Sequence, residues 1–309
     1  MTNPIDPRID CVFKAILGAN ENKNLLIHFL NAVLEFKGKD IIKDVDILNP
    51  FNDKDYIGDK LSIVDIKAKD ANEKTYQIEI QIAIHDYLIS RIIYNWATIY
   101  SSQIREGENY DRLNPVISIW ILGGSLFPKI YKYHLPFKFT NMEENLVLSD
   151  QAVIHIFQLP KWKKGKTIVS EKDRWLCFFK EGRKLDWNNP PKYFQTKEMR
   201  QAMSVLKRFS EKERDALMYQ HRLHLHFKEN TLNSIAKRAE KVLKERELLL
   251  KEKRDALKEK KNALKEKKNA LKALKEKDSA LKDTQRKNKL LEQALISKGI
   301  DPESFMIEK

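Results

Sequence analysis

Residues 75–84, TYQIEIQIAI, alternate polar and apolar side chains, and this period of two limits the possible folds more than any other feature of the chain. On a strand, Glu79 and Gln81 point to one face while Ile78, Ile80 and Ile82 point to the other. The isoleucine face needs a core, and the opposite face is open to chemistry. Residues 61–69 are also strand-like, and the polar turn Asp70 to Lys74 between the two runs predicts an antiparallel hairpin. A hairpin centred on Asn72 sets Asp65 opposite Glu79, since the two lie at equal separations from the centre. Adjacent carboxylates repel and raise one another's pKa unless a cation lies between them, so the pair suits a hard, oxygen-seeking ion such as Mg²⁺ or Mn²⁺. Gln81, one same-face step along, could orient a water or a phosphate. A solvated polar sheet face fits the same residues, and for an arbitrary hairpin it is the commoner outcome.

The flanking segments predict an α/β domain. Residues 9–17 form a helix stopped by Gly18, and Asn20 caps a second one whose stripe is Leu25, Leu26, Phe29, Leu30, Val33 and Leu34. Residues 41–48 are a strand closed by Asn49 and Pro50. Residues 87–104 hold no Gly or Pro and predict a long helix. Strands follow at 116–122, around Tyr131, Tyr133 and Leu135, and at 153–159; helices at 171–180, 197–209 and 211–222 complete a sheet flanked by helices, with the domain covering 1–229.

Asp65, followed fourteen residues on by Glu79-Ile80-Gln81, resembles the D…(D/E)xK signature of the PD-(D/E)XK nucleases, with glutamine in place of lysine. DCVFKAIL from Asp10, LLIHFLNAVL from Leu25, LSIVDIKAKD from Leu61, YQIEIQ from Tyr76, RIIYNWATIYSSQIREGENY from Arg91 and LNPVISIWIL from Leu113 are similar to the Rpn family, the recombination-promoting nucleases that also carry a transposase label. The likeness spans residues 4–180. It implies a restriction-endonuclease-like mixed sheet flanked by helices. It also implies a Mg²⁺- or Mn²⁺-dependent DNA endonuclease tied to recombination, mobile elements or defence. Asp65 and Glu79 would be metal ligands, and Gln81 their catalytic companion. Glutamine lacks the positive charge of lysine but still offers an amide donor. Asp10 is either a third acidic contributor to the metal or the cap of its helix. Lys14 and Lys60 could approach a phosphate. Arg91, Tyr94 and Gln103 resemble family positions, with Tyr94 expected in the core. No separate DDE-type triad supports strand transfer.

Charge is unevenly spread. Of the net +14, +9 lies in residues 251–290. There a seven-residue unit recurs as EKRDALK from Glu252, EKKNALK from Glu259 and again from Glu266, and after an inserted Ala273 to Lys275 as EKDSALK. This predicts a long charged helix over residues 230–290, with a short module at 291–309. Leu250, Leu257, Leu264 and Leu271 recur at heptad spacing, but the position three residues before the next leucine is Arg254, Lys261 or Lys268, so only a weak coiled coil joining two copies, or a solvent-exposed helix, is expected. A stripe that includes Lys258, Lys261, Lys265 and Lys268 would either follow a DNA backbone or be merely solvated. Lys161, Trp162, Lys163 and Lys164 combine phosphate-neutralising charge with a stacking surface, again set against an ordinary surface loop. A non-cleaving DNA-binding scaffold acting through the basic helix is the alternative function. Cys11 and Cys177 form no ligand spacing, so no zinc site is expected, and a reducing cytoplasm is. The polar start lacks a secretory pattern, and the apolar stretch at 116–127 is broken by Gly123 and Gly124, which argues against a membrane span.

Overall fold

One carboxylate builds the turn that closes the central hairpin. In the computed structural model, which describes residues 5–48, 65–163, 165, 168, 170–186 and 189–299, Asp70 ends strand β2 (Ile66–Asp70). Its Oδ1 accepts from the backbone N–H groups of Asn72 at 2.8 Å and Lys74 at 3.0 Å, and its Oδ2 from the Tyr76 hydroxyl at 2.9 Å. This local competition with the ladder is what a short acidic side chain does well in turns. The chain re-emerges as β3 (Thr75–Gln81), and the pairs Ile66–Ile78 and Ala68–Tyr76 give the register expected for a centre at Asn72.

Among the described residues the sheet around this hairpin has six strands. β1 (Val45–Leu48) lies antiparallel to β2. β4 (Val116–Leu122) runs parallel to β3, and β6 (Ala152–Gln158) parallel to β4, while β5 (His134–Lys138) closes the edge antiparallel to β6. The order is β1-β2-β3-β4-β6-β5. Parallel neighbours require buried faces, and all seven residues of β4 are buried. One face, carrying Ile78, Ile80, Ile119 and Ile121, packs on α1 (Asp10–Leu17), α2 (Lys23–Leu34), α4 (Glu171–Glu181) and α5 (Lys197–Glu211). The aromatics Phe13, Phe29, Trp175, Phe178 and Phe179 fill that layer, each worth about 1.5–3 kcal/mol on full burial. The other face meets α3 (Leu88–Ser101), whose Leu88, Ile92, Trp96 and Ile99 cover Val116, Trp120 and Leu122.

Several elements depart from expectation. The first strand begins at Val45 instead of residue 41, because the Asn31 amide takes the ladder's place at Ile42. Asn31 Oδ1 accepts the Ile42 N–H, and Asn31 Nδ2 donates to the Ile42 carbonyl, both at 2.8 Å. Asn20 does not cap α2; it opens a single 3-10 turn, and α2 starts at Lys23 without a side-chain cap. The edge strand is shifted from Tyr131 to His134. Tyr131 is exposed, and pairing begins at His134–Phe157 with Pro136 tolerated on an open edge. No break separates the expected helix at 211–222 from the basic segment, since both belong to α6 (Glu213–Ser297). The chain nevertheless divides into two compact units, Met1–Asn233 and Ser234–Lys309. Among the described residues no helix is long and apolar enough to cross a membrane.

Candidate active site

The hairpin register and the period of two bring the acidic pair together where β2 parts from β3. Asp65 stands one residue before β2, and its Oδ2 accepts the Ile80 N–H at 3.0 Å, filling a place a neighbouring strand would otherwise take. Its Oδ1 faces Lys14 Nζ at 3.4 Å. Glu79 is buried to 1% exposure. Its Oε1 accepts from Gln77 Nε2 at 3.1 Å, and its Oε2 faces Arg91 Nη2 at 3.4 Å. Burial pushes the Asp65 carboxyl up, against the Ile80 bond and Lys14, with Asp10 adding to the rise. Glu79 is pushed up to about 8, first by burial and next by the negative charge of Asp65, with Arg91, Gln77 and Lys14 pulling the other way.

Gln81 and Arg91 complete the arrangement. Gln81 Oε1 accepts from Arg91 Nη1 at 3.0 Å, and Gln81 Nε2 donates to the Ala83 carbonyl at 2.9 Å. Guanidinium has no acceptor, so the amide oxygen must be the end that faces Arg91. Gly123 fixes the end of β3 from the other side. Its N–H donates to the Gln81 carbonyl at 2.8 Å, and a Cβ there would come within 3.0 Å of the Ile82 backbone. Asp65, Gln81 and Arg91 line a cleft of about 220 Å³ together with Asp10, Arg8 and Arg222.

A buried and a half-buried carboxylate whose ionisation is disfavoured, with counter-charges at 3.4 Å instead of the roughly 2.7–2.9 Å of strong charge-assisted bonds, retain acceptor capacity for a cation. Among the described residues no group of three or more His, Cys, Asp or Glu side chains is gathered to hold a metal. Mg²⁺ is commonly held by one or two carboxylates plus waters and substrate phosphate, so the oxygen-only pair fits a divalent ion.

A family model described as PD-(D/E)XK nuclease family transposase matches residues 7–236, which takes in all six strands, the hairpin and the residues lining the cleft. The chain belongs to this family. Comparisons with curated proteins and with solved structures give no match. The mixed sheet flanked by helices is the PD-(D/E)XK architecture, and the family gives the chain a nuclease- or transposase-related role.

Other residues singled out in the sequence of this PD-(D/E)XK family member fall in different places. Asp10 is not a cap: Ile9 flanks α1 with no side-chain cap bond, and Asp10 Oδ2 faces Arg222 Nη1 at 3.4 Å on the cleft rim. Trp162 offers no stacking surface. It is 2% exposed, its Nε1 donates to Asp173 at 2.8 Å, and Lys180 Nζ lies 5.8 Å from its ring centre. Lys161 Nζ donates to the Phe127 and Ile130 carbonyls, so its charge is tied to the backbone. Lys163 is exposed, and Lys164 and Lys60 lie outside the described residues. Tyr94, expected in the core, is 43% exposed on α3. Gln103 clamps Asn114 through paired 3.0 Å bonds ahead of β4 and stays away from the cleft. Lys258, Lys261, Lys265 and Lys268 are exposed on α6 in the second unit.

Sequence reading missed Gln77, although the alternation that selects Glu79 and Gln81 also selects it. It missed Arg222 and His226 as well, whose one-turn spacing on α6 puts both on the cleft.

Proposed function

We propose that this family member is a divalent-metal-dependent DNA endonuclease that hydrolyses phosphodiester bonds, with Asp65 and Glu79 as ligands of Mg²⁺ or Mn²⁺. The observation that carries this reading is a pair of mutually repelling carboxylates, Glu79 buried and Asp65 half-buried on a cleft lined by arginines. Burying two such groups side by side costs stability, which a fold retains most readily where a cation is to be held. A bound ion would polarise a phosphoryl oxygen and lower the pKa of an attached water. Ile80 N–H and Gln77 Nε2 fix the two carboxylates, and Lys14 and Arg222 supply charge to which a phosphate backbone can dock. Gln81 acts beside them through its contact with Arg91.

The exposed lysine stripe of α6 supports a sequence-independent affinity for DNA and, less strongly, a contact between two copies. It also supports the second reading, a DNA-binding scaffold in a cytoplasmic setting. Nicking of supercoiled plasmid by the full chain in Mg²⁺ or Mn²⁺, lost in EDTA and in Asp65→Ala, is the expected result. Cleavage that survives in purified Asp65→Ala would rule out the endonuclease assignment. DNA retention indifferent to EDTA, without cleavage, would favour the scaffold.

A further inference from the structure

The signature lysine of the family is absent at position 81, and the structure shows a different cation at that end of β3. Arg91 reaches across from α3 and is held on three sides: by Gln81 Oε1 at 3.0 Å, by Glu79 Oε2 at 3.4 Å, and by the face of Trp120, 5.4 Å from its ring centre. The tryptophan is itself fixed. Trp120 Nε1 donates to Ser118 Oγ at 2.8 Å, Ser118 Oγ donates to Gln77 Oε1 at 2.9 Å, and Gln77 Nε2 donates to Glu79 at 3.1 Å. A closed circuit of contacts therefore joins the guanidinium to the carboxylate, entirely on the α3 face of the sheet.

The circuit explains the glutamine. A lysine at 81 would set an ammonium against the guanidinium at hydrogen-bond distance, whereas the Gln81 oxygen accepts from it. Of the other arginines on the cleft, Arg8 is more fully answered, with bonds of 2.9 and 2.7 Å to the two oxygens of Asp6, whereas Arg222 faces Asp10 at 3.4 Å and does not touch Glu79 or Gln81. Among the described residues only two of Arg91's five N–H groups have hydrogen-bond partners, its side chain is 35% exposed, and it lines the cleft beside Asp65. A guanidinium stays charged at any working pH and matches phosphate oxygens in pairs.

We propose that Arg91 supplies, from α3, the positive charge that stabilises the reacting phosphate, and that Gln81 is the positioning residue that aims it. This rests on the endonuclease reading above. The test uses full-length Arg91→Met, which keeps the apolar length over Trp120, together with Arg91→Lys, Gln81→Lys and the double variant Arg91→Met/Gln81→Lys. Single-turnover plasmid cleavage is read beside calorimetric titration with Mn²⁺ alone.

Arg91→Met should slow cleavage by about 10²–10³-fold, the usual cost of removing one charge-stabilising donor, while Mn²⁺ affinity holds or tightens. Arg91→Lys and the double variant should each regain about tenfold or more over Arg91→Met, as a replaced charge without the paired geometry would. Gln81→Lys alone should slow the enzyme, because it breaks the contact that aims Arg91. Near-normal cleavage by Arg91→Met, with Asp65→Ala inactive, would overturn the role of Arg91 and leave the endonuclease reading intact. A loss that neither Arg91→Lys nor the double variant relieves would show a purely structural arginine and overturn it too. A wild-type chain that neither cleaves nor binds Mn²⁺ would remove both readings together.

Discussion

Replacing Glu79 with glutamine should make the metal-free protein more stable at neutral pH even as it removes cleavage. The Glu79 carboxyl, ordinarily ionising at 4.5, is pushed up to about 8 in the folded chain by burial and by Asp65. Between those values the folded protein keeps a proton that the unfolded chain has released, so stability falls as pH rises through the window. At pH 7.5 the separation is about three units, and at about 1.4 kcal/mol per unit the penalty has a ceiling of about 4 kcal/mol. Glutamine keeps the shape and can still accept from Gln77, but its contact with Arg91 is weaker than a carboxyl's, and the half-exposed arginine can turn to solvent at a cost of about 1–2 kcal/mol. A net gain of about 2 kcal/mol is expected near pH 7.5, shrinking toward zero or reversing near pH 4.5. Urea unfolding of both proteins in EDTA at the two pH values measures it. Added Mn²⁺ should then raise the wild-type midpoint and leave that of Glu79→Gln nearly unchanged. If Glu79→Gln is no more stable than wild type near pH 7.5 in EDTA, the idea that the carboxylate pair is a stability cost retained for function is wrong.

Other perturbations read different parts of the same chain. His134 and His155 touch at 2.9 Å, and burial pulls both down to about 4 from 6.5, so the folded chain stays neutral where the unfolded one protonates. Stability is therefore lost as pH falls from about 6.5 toward 4, and His155→Gln should flatten that acid limb in urea titrations. Asp70→Ala strips three bonds from the hairpin turn and should cost about 2–4 kcal/mol by urea unfolding, while Asp70→Asn, which keeps an acceptor, should cost less. Changing Lys258, Lys261, Lys265 and Lys268 together to glutamine should lower the slope of log binding constant against log salt by up to about 3–4 for duplex DNA and leave the cleavage rate at saturating DNA unaltered; an unchanged slope would show that the stripe is only solvated. Trp162→Ala should cost about 3–5 kcal/mol of stability without weakening DNA binding by the folded fraction, as befits a core residue.

The parts of the fold legible in the sequence are those fixed by short-range rules. A period of two and a polar five-residue turn gave the β2–β3 register, because Asp70 satisfies the turn with its own side chain and leaves little freedom for slippage. The apolar runs of β4 and β6 were visible for the same reason. Features depending on a distant partner were hidden. Asn31 replaces a strand for Ile42, and Asp173 draws Trp162 out of a lysine-rich loop into the core. Composition changes near residue 230, but helix α6 continues through it, because no Gly or Pro interrupts residues 213–297.

At the site, the residues whose side chains line up along one strand were easier to find than the groups that hold them. Glu79 and Gln81 follow from alternation, and the same alternation applied one step earlier leads to Gln77, whose polar side chain would be taken for a solvent-facing one. Its burial becomes apparent only when β4 brings Ser118 alongside and α3 closes over both. That burial changes what the glutamine at 81 means. Taken alone, position 81 has lost a charge. Within the circuit running from Glu79 through Gln77, Ser118 and Trp120 to Arg91, the charge has moved to a helix, and an uncharged acceptor at 81 is what allows it to stay there. A lysine restored at 81 should therefore harm the wild-type protein and help only when Arg91 is gone.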